Sequence, residues 1–204
     1  GMGGAKSGNV ASSLAVDVFT DEVRRCQRPG MTPERGAEVL RGALELANKA
    51  VFEQAQVSDD FTGMGTTLVA ALIIRDTAVI INVGDSRAYL FTAEGVQLLT
   101  TDHSIVEFMV QRGELTQEQA KNHPGKNVIT RAEPSVEGDI YLQKLHRDDC
   151  LLLCSDGLSN VMADQEMLFE VAHGVRKSDC CQRLLRIAKN RGAPDNVTVA
   201  MALV

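Results

Sequence analysis

The chain has 204 residues, a formal charge of −6, 44% hydrophobic residues and no tryptophan. That length suits one domain with a sizeable core, and the acidic balance argues against nucleic acid or an anionic lipid surface while favouring cations. No apolar run approaches membrane-spanning length and no basic-then-apolar leader opens the chain, so neither membrane insertion nor secretion is expected.

Gly1 to Asn9 predicts a glycine-rich turn, followed by a helix whose apolar face is Ala11, Leu14, Ala15, Val18 and Phe19. Thr32-Pro33-Glu34 carries a cap residue, a first-turn proline and an early acid, which predicts a second helix running to about Ala55. Ser58 to Gly65 reads as a loop. From Thr66 the apolar period becomes strand-like: Thr67 to Ile74, Ala78 to Val83, Ala88 to Phe91 and Val96 to Leu99 are separated by short breaks, which predicts an antiparallel meander. Thr101-Asp102-His103-Ser104 reads as the cap of a short helix over Ile105 to Gln111. Arg112 to Arg131 is a polar excursion with a small helix near Thr116 to Asn122. Strands follow at Ile140 to Leu145 and Cys150 to Cys154, helices near Ala163 to His173 and Ser178 to Asn190, and a final strand from Val197 to Val204. Cys26, Cys150, Cys154, Cys180 and Cys181 are odd in number and lack CxxC spacing, so they read as reduced, mostly buried thiols of a cytoplasmic protein.

Asp85, Asp156 and Asp195 share one local pattern, each adjoining an apolar strand and flanked by glycine or asparagine. In Leu151-Leu152-Leu153-Cys154-Ser155-Asp156-Gly157 a core strand ends in a carboxylate, with a glycine that lets the backbone turn closely beside it. Taken alone, this Asp reads as a turn cap sooner than as a ligand. Clustered carboxylates need cations, and all-oxygen ligation selects Mg²⁺ or Mn²⁺ over zinc. His103, His123, His146 and His173 have no metal-ligand spacing and read as scattered surface or capping residues. No nucleophile elbow, P-loop or dinucleotide fingerprint is present. The residues by themselves lead to a metal-binding α/β protein, with two-metal hydrolysis as one outcome.

Gly1-Met2-Gly3-Gly4, Gly65-Thr66-Thr67, Val83-Gly84-Asp85-Ser86-Arg87, Thr101 to Ser104, Cys154 to Leu158 and Asp195-Asn196-Val197-Thr198 stand in an order and spacing that resembles the bacterial metal-dependent Ser/Thr protein phosphatases of type 2C, the PPM family. The resemblance covers essentially the whole chain. It implies an α+β fold, a four-layer α-β-β-α sandwich of two antiparallel sheets with flanking helices, and one phosphatase domain over residues 1–204. It also implies a binuclear Mn²⁺/Mg²⁺ centre whose water attacks phosphoserine or phosphothreonine, with no side-chain nucleophile. Gly1, through its carbonyl, Asp156 and Asp195 match metal ligands, and Asp85 matches an acid that with Asp156 holds a third ion. Arg112 to Arg131 matches the flap beside the site. Implied partners are phosphoserine and phosphothreonine proteins and an opposing kinase.

The sequence departs from the family pattern in three places. Met2 stands where some eukaryotic relatives carry a histidine proposed as general acid, and Ala132-Glu133-Pro134 replaces a glycine-containing tripeptide after the flap. The strand ending in a metal-bridging Asp before Gly1, and an upstream phosphate-binding arginine, do not precede Gly1. The start is therefore read as truncated, with weak metal occupancy, low activity and an uncovered sheet strand that pairs in a homodimer or is covered by rearranged N-terminal residues. The alternative function is a catalytically inactive PPM-like module acting through binding or regulation.

Overall fold

The computed structural model describes residues 1, 4–116, 119, 136–173, 177–193 and 195–204. Met2, most of the expected flap through Arg131 and Ala132-Glu133-Pro134 lie outside the described residues. The chain divides into two compact units, Gly1–Gly84 with His103–Gln143, and Asp85–Asp102 with Lys144–Val204.

In the first unit, α1 (Gly4–Cys26) packs along α2 (Pro33–Ala55), and α2 covers a three-stranded sheet ordered β1 (Leu68–Ile74), β2 (Thr77–Val83), β5 (Asp139–Lys144). Thr32 caps α2 by accepting the Arg35 N–H, and Ala37, Leu40, Ala43, Leu44 and Ala47 form the buried stripe that the apolar period predicts. That stripe joins Phe19 and the β2 residues Val79, Ile81 and Val83 in one core. Helix α1 begins earlier than expected. Ser7 donates its hydroxyl to the Asp60 carbonyl at 2.9 Å, and this anchorage holds as helix a stretch whose glycines disfavour it. Within the predicted loop after α2, residues Asp59–Phe61 form a 3₁₀ turn capped by Ser58.

The second unit holds a four-stranded antiparallel sheet ordered β4 (Gly95–Leu98), β3 (Arg87–Thr92), β6 (Cys150–Cys154), β7 (Val199–Leu203). Three helices follow β6: α4 (Asp156–Ser159), α5 (Asp164–His173) and α6 (Cys180–Asn190). Tyr89, Phe91, Leu152, Leu158, Met167 and Leu184 fill the core between sheet and helices. Strand β6 is flanked on both sides and buried at nearly every residue, as its continuous apolar run requires. Helix α3 (Ile105–Gln111), in the first unit, is capped by Ser104 as the sequence predicts.

The expected single meander is corrected. Strand β2 has both edges taken, by β1 and β5, so β3 cannot add to it and instead pairs with β4 and β6 in the second sheet. Residues 84–86 are therefore a passage from one sheet to another and not a hairpin turn. The class is α+β with two sheets and associated helices, as the sequence implies. No helix among the described residues is long and apolar enough to cross a membrane.

Core burial sets a direct expectation. Leu152 is fully buried on β6, an inner strand, so Leu152→Ala should cost about 2–5 kcal/mol in urea denaturation. Phe169, 60% exposed on α5, should cost less than about 0.5 kcal/mol when changed to Ala.

Candidate functional site

Sheet register explains how distant acids come to one place. Arg87 lies opposite Cys154, and Cys154 lies opposite Val199. Extending each antiparallel strand past these pairs brings Asp85, just before β3, Asp156, just after β6, and Asp195, just before β7, to the same end of the second sheet.

Residues 155 and 195–198 are clasped at that end. The Ser155 hydroxyl donates to the Asn196 carbonyl at 3.1 Å and accepts the Thr198 N–H at 3.0 Å, while the Ser155 N–H donates to the Thr198 carbonyl at 3.1 Å. Gly157 is required by this approach: a Cβ there would overlap the Asn196 carbonyl oxygen. The sequence assigned that glycine to room beside the Asp156 carboxylate, whereas the backbone of the Asp195 loop takes the space. Asp156 itself is the first residue of α4, and Asn160 one turn later donates its amide to the Asp156 carboxylate at 3.1 Å. Burial first, and then the charge of Asp195, hold the Asp156 carboxyl above the ordinary carboxylate range.

Asp85 is only 9% exposed. Burial, followed by the charges of Asp156 and Asp102, pushes its carboxyl up to about 6, against the pull of its own backbone N–H and of Arg87. Arg87 is committed elsewhere: its guanidinium grips Asp102 at 2.7 and 3.0 Å and donates to the Tyr89 hydroxyl at 3.2 Å. The thiol nearest in sequence, Cys154, is buried and pushed up to about 12, which leaves it un-ionised and unsuited to nucleophilic work at neutral pH.

Two expected residues belong to the first unit. Gly1 is exposed and packs on the Gly8 backbone so closely that a Cβ would overlap the Gly8 carbonyl. His103, read from sequence as a cap or surface residue, is 6% exposed and contacts Gly84 and Asp139. Its role had no local signal, because both partners are distant in sequence.

The donor set suits a hard dication: all-oxygen, with two carboxyls raised by burial and by neighbouring carboxylates, which a bound cation relieves. The acids act as two pairs, Asp85 with Asp156 and Asp156 with Asp195, and among the described residues no three acid, His or Cys side chains form a group that could hold a metal ion.

A raised carboxyl stabilises the fold when protonated and loses that contribution as pH rises through its folded-state value. In EDTA, stability should therefore fall by on the order of 2 kcal/mol as pH climbs from 3.8 to about 6 on account of Asp85. Glu22 and Glu166, held down to about 2 by Arg25 and Arg191, act in the opposite sense and at lower pH. Urea denaturation across this window should show the loss in the wild-type chain and a smaller one in Asp85→Asn, where the raised Asp156 carboxyl remains.

The sequence pattern of protein phosphatase 2C matches residues 1–194. The chain is 38% identical over 204 residues to the serine/threonine phosphatase stp of Listeria monocytogenes serovar 1/2a, covering 98% of this chain and 81% of that protein. It superimposes on the solved structure of the Streptococcus agalactiae serine/threonine phosphatase with a TM-score of 0.90 and 35% identity, over 100% of this chain and 84% of that one. A structure of the catalytic domain of the phosphatase PstP in complex with two manganese ions gives a TM-score of 0.83 at 31% identity, over 98% of this chain and 83% of that one. With a family pattern spanning nearly its whole length and relatives of this identity, the chain belongs to the protein phosphatase 2C family of bacterial serine/threonine phosphatases.

Proposed function

We propose that this phosphatase removes phosphate from phosphoserine and phosphothreonine side chains of proteins with Mn²⁺ or Mg²⁺ as cofactor, and that Asp156 is its pivotal ligand. The observation that carries the reading is the position of Asp156, electrostatically coupled to Asp85 on one side and to Asp195 on the other. Asp156 and Asp195 would hold the catalytic ions, and Asp85 with Asp156 a further one. The manganese bound by the related PstP supports this choice of cofactor. When bound, such ions make water a competent nucleophile at neutral pH and offset phosphoryl charge.

The chain's own groups position and protect. Asn160 orients the Asp156 carboxylate, and the Ser155 clasp keeps the Asp195 loop from drifting. Met2 stands where some eukaryotic relatives carry a histidine proposed as general acid, so this reading assigns protonation of the leaving serine or threonine oxygen to water.

We extend the proposal to the whole chain as one phosphatase domain in the cytoplasm, supported by the span of the family match and by five free thiols. Substrate phosphate of this kind is installed by an opposing Ser/Thr kinase. Strand β1, at the end of its sheet, is the surface through which a second copy would pair.

The test is hydrolysis of a phosphothreonine peptide during Mn²⁺ titration. Activity should vanish in EDTA, return with Mn²⁺, and fall by about 100-fold or more in Asp156→Ala, beyond what loss of an outer-shell group costs. Metal-independent turnover, or an Asp156→Ala variant as active as the wild type, would overturn the reading. A folded, metal-binding chain without turnover would favour a regulatory module.

A further inference from the structure

His103 holds Gly84 at two points. The His103 backbone N–H donates to the Gly84 carbonyl at 2.9 Å, and the Gly84 N–H donates to His103 Nδ1 at 3.1 Å. Because Nδ1 accepts, the proton of the neutral ring sits on Nε2, which donates to Asp139 Oδ2 at 2.9 Å. Asp139 opens β5, so the ring is fixed from a strand rather than from a loop. The Asn82 amide adds a third hold on Gly84, donating to its carbonyl at 3.3 Å.

Gly84 has no freedom to compensate for losing these contacts. It sits at φ +105, and a Cβ would overlap the Thr67 side chain, so the residue is confined in a conformation that only glycine adopts readily. Its carbonyl belongs to the same rigid peptide plane as the Asp85 nitrogen. Whatever fixes that carbonyl fixes the plane from which the Asp85 side chain leaves the backbone.

We propose that His103 and Asp139 are positioning residues: Asp139 seats the ring that holds the Gly84 N–H, the His103 backbone N–H holds the Gly84 carbonyl, and by fixing the peptide planes on both sides of Gly84 they aim the Asp85 carboxylate for cation binding. Their consequence for metal rests on the reading of Asp85 as a ligand given above, whereas the aiming of the carboxylate does not. In this they resemble carboxylate–histidine pairs that orient metal ligands from outside the coordination sphere, here acting on a peptide rather than on the ligand itself.

The experiment uses the full chain with His103→Ala, His103→Asn and Asp85→Asn, each checked for folding by circular dichroism. Two quantities are read: Mn²⁺ affinity by calorimetry, and the ¹³C carboxyl resonance of Asp85 in the metal-free protein. Expected is an affinity loss of about 10- to 100-fold at the site that Asp85→Asn weakens, with a displaced Asp85 resonance, in His103→Ala. His103→Asn, whose amide oxygen can accept the Gly84 N–H where Nδ1 did, should recover part of both. A folded His103→Ala chain with wild-type affinity and an unmoved Asp85 resonance overturns the proposal. Should that variant fail to fold, His103→Asn decides: it still loses the Asp139 contact, so an intermediate loss supports the proposal and wild-type values in both readings overturn it. If Asp85→Asn binds Mn²⁺ as tightly as wild type, the ligand reading of Asp85 falls, and the carboxyl resonance alone decides the positioning claim in either direction.

Discussion

Antiparallel strands paired in register deliver their ends to one place, and the acidic end of the four-stranded sheet depends on that constraint. β6 leaves the sheet where β3 and β7 enter it, so the residues flanking those three points meet although they lie far apart in the chain. When those residues are aspartates, the hydrogen-bonded ladder forces together charges that repel. Burial first, and this repulsion second, raise the carboxyls of Asp85 and Asp156. Folding tolerates it because the strands bury Leu152, Tyr89 and Phe91 in the same act, and burial of that size exceeds the electrostatic loss.

What keeps the repelling acids from separating is local and specific. The Ser155 hydroxyl serves as donor and acceptor at once, tying the start of α4 to the strand entry at Thr198, and Gly157 removes the one atom that would push Asn196 away. A serine and a glycine flanking Asp156 thus act on the neighbouring loop, while the carboxylate is oriented separately by Asn160. The acids lie at strand ends, and hydrogen bonds anchored in the sheet set their positions.

Much of this was legible in the sequence, for reasons that can be named. Helix α2 announces itself through Thr32, Pro33 and a strict apolar stripe, and β6 through an unbroken apolar run, because local periodicity reports which faces are buried. Asp85, Asp156 and Asp195 stood out by their shared position at strand ends. The split into two sheets did not, since the exclusion of β3 from β2 depends on β5 occupying the second edge of β2, from more than fifty residues downstream. His103 was misread for the same reason: its partners Gly84 and Asp139 lie 19 and 36 residues away, and nothing adjacent to it marks either contact. Pairings of that range are tertiary facts.

The pairing of Arg87 shows how a charge can be present and still withheld. An arginine two residues from a buried aspartate would ordinarily neutralise it and hold its carboxyl low. Here the guanidinium is engaged by both oxygens of Asp102 and by Tyr89, and Asp102 raises the Asp85 carboxyl more strongly than Arg87 lowers it. Removing Asp102 would release Arg87 to serve as an internal counter-ion, which would stabilise Asp85 and at the same time compete with any dication for it. By occupying the arginine, Asp102 keeps Asp85 in need of positive charge from outside the chain, which is the condition under which a buried carboxylate binds a metal ion instead of a neighbouring side chain.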